Sequence, residues 1–354
     1  MKRHCLRRFF GLSLSVGIFL LSSCPTSAEI SSGMSSQEII EHTTNGVKNA
    51  CITVGIVQNG QMSFEVYGED GKILPKKEHV YVIASNSKSF TAAMFCKAIS
   101  EGKANLDDSI DRFLDLPTKN YYPTIKRLLT HTSGYEREYY MGPFSMNFFN
   151  GGNAYYGITE KMVLNLIGEI NLENRDYPHV YSNFGYAVAG LVLEGIYNED
   201  YTSLMNNYLK NELGLNNTKI SDGSGDLSHY LVWNKGNPFV SSGGFISTVT
   251  DLMKFAQMQM DGTPPYLSLS HNVMILHDPV SVPELDLHLD AYGLGWEIDT
   301  VNNNIMHGGV IDNYNSCIIF NKSSRIAVVV LANMAQAKVN AQVIGAAKLR
   351  ELKI

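Results

Sequence analysis

Hydrophobic and polar residues change rhythm several times along the chain. Residues 36–49 repeat at helical spacing. Cys51–Val57 and Met62–Tyr67 then read as two strands about Asn59-Gly60, a pair suited to the positive-φ turn of a hairpin. After Tyr81-Val82-Ile83 the chain is apolar in nearly every helical direction, which predicts a helix buried on most sides, starting near Ser85 and stopping at Gly102. From about residue 106 to 260 the spacing is mostly helical, over Asp108–Leu114, Thr124–Leu129 with Thr124 as N-cap, Lys161–Ile170, Gly185–Tyr197 and Thr202–Leu213. Thr248-Val249-Thr250-Asp251 reads as a capping box opening one more helix. Strand patterns return at Gly293–Ile298, Asn304–His307, Asn315–Phe320 and Ile326–Ala332, and a helix over Val339–Leu352 closes the chain.

Strands at both ends with helices between them predict an α+β fold. One antiparallel sheet draws strands from both termini and is flanked by helices, with an all-helical lobe inserted at about residues 106–260. The domain spans roughly residues 36–350, and the cleft between sheet and lobe is a natural ligand site. The 354 residues suffice for a sizeable core, and no interior stretch is long enough to cross a membrane.

The first 28 residues follow other rules. Lys2, Arg3, Arg7 and Arg8 precede an apolar run from Phe9 to Leu21 and then small residues, the pattern of an export signal. It has two possible ends. Leu21-Ser22-Ser23-Cys24 resembles a lipobox, which would make a lipidated Cys24 the first mature residue and the sole membrane attachment. Thr26-Ser27-Ala28 instead offers small residues to an ordinary signal peptidase. Either way the expected location is outside the cytoplasm of a bacterium, in the periplasm or cell envelope. Removing residues 1–23 takes four basic and no acidic residues, moving the formal charge from −6 to −10. An acidic chain argues against nucleic acid as a partner. Cys51, Cys96 and Cys317 lie in apolar patterns without Cys-x-x-Cys spacing and are expected as buried free thiols.

Three short constellations can carry chemistry. Ser85 and Lys88, three apart at a helix start, share one face where unpaired N–H groups and the positive dipole end point outward. That suits a nucleophile whose attack creates an oxyanion, with an amine whose proton affinity is lowered by apolar surroundings. The same two residues also suit an ordinary N-cap and a solvated lysine. Ser100 and Lys103 repeat the spacing at the wrong end of the helix. Tyr181-Ser182-Asn183 is expected on a loop of the helical lobe. A phenol beside a lysine ammonium loses its proton more easily and can act as a base, and the asparagine offers a donor and an acceptor to a substrate amide. His307-Gly308-Gly309 is expected to end a strand, where glycines permit close backbone approach. No spacing suggests a metal site, and no Gly-x-Ser-x-Gly elbow occurs.

Taken in order, Ser-x-x-Lys, Tyr-x-Asn and His-Gly-Gly resemble the serine β-lactamases and penicillin-binding proteins, in their class C-like branch with D,D-peptidases, D-aminopeptidases and esterases. Leu128-Leu129-Thr130-His131-Thr132-Ser133-Gly134, Ser242-Gly243-Gly244-Phe245 and Tyr292-Gly293-Leu294-Gly295-Trp296 agree with it. The resemblance implies a serine hydrolase that forms an acyl-Ser85 intermediate and needs no cofactor or metal. Lys88 and Tyr181 would share the departing proton, while Asn183, His307, Gly308 and Gly309 would bind substrate. The backbone N–H groups of Ser85 and Val310 would form the oxyanion hole. His307 stands where lysine is usual in β-lactamases of this branch, which points towards a D-amino-acid peptide of cell-wall type or a small ester rather than a β-lactam. A binder that acylates and stalls, or a true β-lactamase, are the other outcomes the motifs allow. Tyr139–Tyr156, rich in aromatics, is a candidate cleft rim.

Overall fold

The computed structural model describes residues 33–139, 141–150, 153–334 and 341–353, without the side chains of 148–150. The expected export signal, Cys24, Tyr140, Gly151-Gly152 and the start of the closing helix at Val339 lie outside the described residues.

Twelve strands are present among these residues: β1 Ile52–Gln58, β2 Gln61–Tyr67, β3 Ile73–Leu74, β4 Tyr81–Val82, β5 Lys219–Ile220, β6 Phe245–Ser247, β7 Ile275–Val282, β8 Leu287–Tyr292, β9 Glu297–Asp299, β10 Asn304–Ile311, β11 Tyr314–Asn321 and β12 Ile326–Ala332. The α-helices are α1 Ser36–Thr44, α2 Ser87–Ser100, α3 Ile125–Leu129, α4 Gly142–Asn150, α5 Glu160–Glu169, α6 Asn183–Tyr197, α7 Tyr201–Asn207, α8 Val240–Gly243, α9 Val249–Asp261 and α10 Ala341–Lys353.

Nine strands form one sheet in the order β3-β2-β1-β12-β11-β10-β9-β8-β7, so the two ends of the domain meet where β1 pairs antiparallel with β12, Ile52 opposite Ala332. The β12 sequence shows why both faces are covered. Ala327, Val329 and Leu331 join the core shared with α2, α6 and α9, while Ile326, Val328, Val330 and Ala332 join the core beneath α1 and α10. An unbroken apolar run is what a strand buried on both faces requires. The β1–β2 hairpin turns at Asn59-Gly60, both at positive φ, as their sequence demands.

The lobe is helical apart from β5 and β6, which pair with β4 and so tie the lobe to the segment leading into Ser85. Asp108–Leu114 contracts to a 3-10 turn at Ile110–Arg112. Thr248 caps α9, but its box is half made. The Asp251 carboxylate turns to Asn217 N and Thr218 Oγ1 instead of the Thr248 backbone. Strands β7 and β8 occupy a region without an expected strand, and Gly293–Trp296 is a turn rather than the start of one. Cys51, Cys96 and Cys317 are buried free thiols.

Two boundary shifts matter for the site. Ser85 lies in a 3-10 turn, Ala84–Asn86, just before α2 begins at Ser87, with Ala84 held at φ 47°. A non-glycine residue in that region is strained and persists only where its surroundings fix it. Here Ile83 N bonds Phe245 O, Ser87 Oγ bonds Ala84 O, and Ser316 Oγ of β11 bonds Ile83 O at 2.7 Å. The second shift places His307-Gly308-Gly309 inside β10 rather than at a strand end. Gly309 faces the Ser85 turn so closely that a Cβ there would lie 2.2 Å from Ile83 O and 3.0 Å from Ser85 N. Gly308 faces the other way, towards the end of the Gln342 side chain.

This asymmetry predicts unequal costs. Gly309→Ala must push backbone against backbone and should lose on the order of 1–3 kcal/mol. Gly308→Ala meets only a flexible side-chain tip and should lose less. Urea unfolding of the two variants beside the parent measures the difference; equal losses would show that β10 does not press on the Ser85 turn.

Candidate active site

Helix α2 carries its polar residues into a dry interior. Lys88 is fully buried, and its Nζ lies 3.2 Å from Ser85 Oγ, 2.7 Å from Asn183 Oδ1 and 2.7 Å from the Ser242 carbonyl oxygen. Among the described residues no carboxylate touches it directly. Burial drives its proton affinity well below that of an ordinary lysine, with the nearby Glu138 charge opposing and Arg137 reinforcing the shift. A neutral amine has two N–H donors and one lone pair. Two of the neighbours, the Asn183 and Ser242 carbonyls, can only accept, so they take both N–H groups and leave the lone pair facing the Ser85 hydroxyl.

Tyr181 packs at the same point, its ring centroid 4.8 Å from Lys88 Nζ. Contrary to the expectation of an easily ionised phenol, burial raises its pKa, and the Ser85 hydroxyl, as a hydrogen-bond partner, offsets only part of that. The amine lies over the ring face, a position that does not relieve a phenolate. The resting Tyr181 is therefore a neutral phenol next to Ser85.

Asn183 is not on a loop. It is the first residue of α6, whose N-cap Ser182 accepts from Gly185 N. Its carboxamide is engaged at both ends, with Oδ1 on Lys88 and Nδ2 donating to Glu138 Oε1 at 2.5 Å and to Tyr155 Oη at 3.1 Å. Both ends are thus bonded within the protein. Glu138 and Tyr155 both come from the aromatic Tyr139–Tyr156 stretch or its border. Glu138 also accepts from Tyr155 at 2.7 Å, its other oxygen Oε2 is buried without a partner among the described residues, and burial raises its pKa. The loop carrying it is fastened to the Tyr181–Asn183 segment, since Asn183 N bonds Arg137 O and Ser182 Oγ bonds Glu136 O.

His307 is buried on β10, 6.4 Å ring to ring from Tyr181. A single chain of bonds fixes its tautomer. Ser182 N donates to His131 Nδ1, so the His131 proton sits on Nε2 and is offered to Tyr292 Oη at 3.2 Å. Tyr292 then donates to His307 Nε2 at 3.4 Å, and His307 Nδ1 donates to Gly308 O at 2.7 Å. Both His307 nitrogens are thus occupied, and burial lowers its pKa to about 3. It is a neutral strut rather than a cation offered to a substrate, which departs from the substrate-binding role the motif suggests. His131 is likewise structural, its pKa held well down by burial.

Gly309 brings the backbone of β10, and with it Val310, beside Ser85 N, the pair expected to form an oxyanion hole. Ser100 and Lys103, by contrast, lie apart at the surface, with Lys103 paired to Glu101. Just beyond Val310, Asp312 and Asn313 help line a groove of about 690 Å³ with His229, Tyr156 and Val232. Among the described residues no cluster of three His, Cys, Asp or Glu side chains could hold a metal, and no helix is long and apolar enough to cross a membrane.

Sequence reasoning missed Glu138, Tyr155, Tyr292, Ser316 and the Ser242 carbonyl as parts of this site. The Ser242-Gly243-Gly244, Tyr292-Gly293 and Tyr139–Tyr156 stretches did signal three of them.

Comparison with known proteins bears on the family and the fold. Protein flp of Staphylococcus aureus (strain MRSA252) is 26% identical over 318 residues, covering 84% of this chain and 62% of its own length. The chain thus spans less than two thirds of that relative. The D-alanyl-D-alanine-carboxypeptidase/endopeptidase AmpH of Escherichia coli (strain K12) is 24% identical over 240 residues, covering 62% of this chain and 60% of its own. The crystal structure of a D-stereospecific amidohydrolase from Streptomyces sp. superposes with a TM-score of 0.67 at 21% identity, over 88% of this chain and 97% of that one. The Beta-lactamase family profile matches residues 37–350, and the chain belongs to that family.

Proposed function

We propose that the protein is an exported serine hydrolase that acylates Ser85, acting on peptides of D-amino acids. The observation that carries this is the amine geometry: Lys88 Nζ is 3.2 Å from Ser85 Oγ, with its two N–H groups taken by carbonyls. Ser85 Oγ attacks the substrate carbonyl carbon as its proton passes to Lys88. The oxyanion is held by the N–H groups of Ser85 and Val310, donors of a kind typically contributing about 2.7–4 kcal/mol each. The tetrahedral intermediate collapses, and the leaving amine takes the proton from Lys88 by way of the Tyr181 hydroxyl. Water then cleaves the acyl-Ser85 ester and restores the serine.

The preference for a peptide rests on charge. His307 supplies no cation, but Arg137 stands at the mouth of the site with its guanidinium 5.8 Å from the Tyr181 ring centroid. It suits the terminal carboxylate of a short peptide, a group that a simple ester lacks. The names of AmpH and of the Streptomyces amidohydrolase support the D-amino-acid assignment. The basic-then-apolar pattern of residues 1–28 supports export, and mass spectrometry of the mature N-terminus would show whether the chain begins at Cys24 with a lipid or after Ala28.

Four outcomes test the reading. Ser85→Ala should abolish covalent labelling by a fluorophosphonate, and Tyr181→Phe should slow acylation by about 10²–10⁴-fold. With the parent, the labelling rate should fall as pH drops through the lowered Lys88 pKa, because only the free amine accepts the serine proton. Labelling that persists in Ser85→Ala would place the nucleophile elsewhere. Arg137→Gln should cost roughly tenfold in kcat/KM on a D-Ala-D-Ala peptide with a free carboxylate and leave a nitrophenyl ester nearly untouched. Equal losses on both would remove Arg137 from carboxylate binding.

A further inference from the structure

Glu138 belongs to none of the three motifs, yet it closes the hydrogen-bond set around the amine. Its Oε1 accepts from Asn183 Nδ2, and Asn183 Oδ1 in turn accepts from Lys88 Nζ. A carboxamide can sit either way round, and only its partners decide which end faces the lysine. A carboxylate accepts and cannot donate, so it holds the NH₂ end of Asn183 towards itself and leaves the carbonyl end for Lys88. Tyr155 adds to the lock by donating to Glu138, and it is itself stacked on Phe239 at 4.5 Å. Were Asn183 reversed, its NH₂ would donate to the amine's lone pair, and an N–H of Lys88 would turn to the Ser85 hydroxyl instead.

We propose that Glu138 is the positioning residue for Lys88, acting through Asn183 to aim the amine's lone pair at the Ser85 hydroxyl. This rests on the acyl-Ser85 reading above. The carboxylate does so without touching the reacting atoms. It also places a negative charge behind the amine, which the mouth-facing Arg137 counters; the other titratable groups about Lys88 are Tyr181, Tyr186, Tyr155, His131 and His307, with Glu297 acting on Tyr181 from β9.

Two variants separate orientation from charge. Glu138→Gln keeps an acceptor for Asn183 and Tyr155 but loses the charge. Its fluorophosphonate labelling should hold close to the parental plateau, while the acid limb moves to lower pH, since removing a negative neighbour depresses the amine's proton affinity further. Glu138→Leu removes the lock as well, and its plateau rate should drop roughly ten- to a hundredfold, the scale expected when a reacting group is misaimed by about an ångström. A merely structural role would lower the melting temperature of both variants and leave plateau and limb of the folded fraction at parental values, and that result would overturn the proposal. Active-site counting by the labelled fraction keeps folding losses apart from rate losses; should Glu138→Leu not fold, an unmoved acid limb in Glu138→Gln still overturns it. Failure of the underlying reading looks different: the parent itself would not be labelled at Ser85.

Discussion

The structure depends on an amine held where it cannot comfortably be charged. Carrying an ammonium into a dry interior with no carboxylate against it is costly, and the usual escape is to give up the proton. Lys88 is in that position, surrounded by two carbonyls, one hydroxyl and aromatic faces. The neutral amine in turn needs acceptors for its two N–H groups, and they come from segments 95 and 154 residues away. The same contacts that satisfy the buried amine therefore pin α6 and the α8 region to α2. Binding the lobe to the sheet and fixing the amine beside Ser85 are one arrangement.

The opposite wall obeys the same economy of charge. His307 and His131 are buried and held neutral, and the Tyr292 hydroxyl between them joins β10 to the backbone of the Tyr181 segment. Such a strut works only while both rings stay uncharged, because each must offer an acceptor nitrogen. Their burial guarantees that over the ordinary pH range. Gly309 then allows β10 to lie against the Ser85 turn, so an oxyanion would meet backbone donors already fixed in place.

Much of this was legible in the chain, for identifiable reasons. β12 and the β1–β2 hairpin announce themselves because their side chains answer to local rules: a run of β-branched residues, and an Asn-Gly turn. The Ser85–Lys88 pair was legible because helical spacing alone puts the two side chains together. Strands β7 and β8 were not. β7 carries Pro279 where its pairing with β8 shifts register between Leu276 and Val280, which an edge strand tolerates and which blurs the pattern. Glu138 and Ser316 were invisible for another reason. Glu138 matters through Asn183, 45 positions on, and Ser316 through Asn86 and Ile83, more than 200 positions back. No local periodicity encodes such a meeting. The charge states misled as well, since a phenol near an amine suggests easy ionisation only until burial is counted.

The distribution of charge also separates reactivity from recognition. Inside, the groups nearest Ser85 are a neutral amine, a neutral phenol and a neutral imidazole, so nothing there draws an anion by simple attraction. Charge appears as the exposed Arg137 guanidinium over Tyr181, and elsewhere as Asp312 along the groove. A family member with a lysine in place of His307 would put a cation beside the reacting atoms and would also push the Lys88 proton affinity lower still. Here that influence is absent, and the proton affinity of Lys88 is left to burial and to Glu138 and Arg137, both carried on one loop stitched to the Tyr181–Asn183 segment.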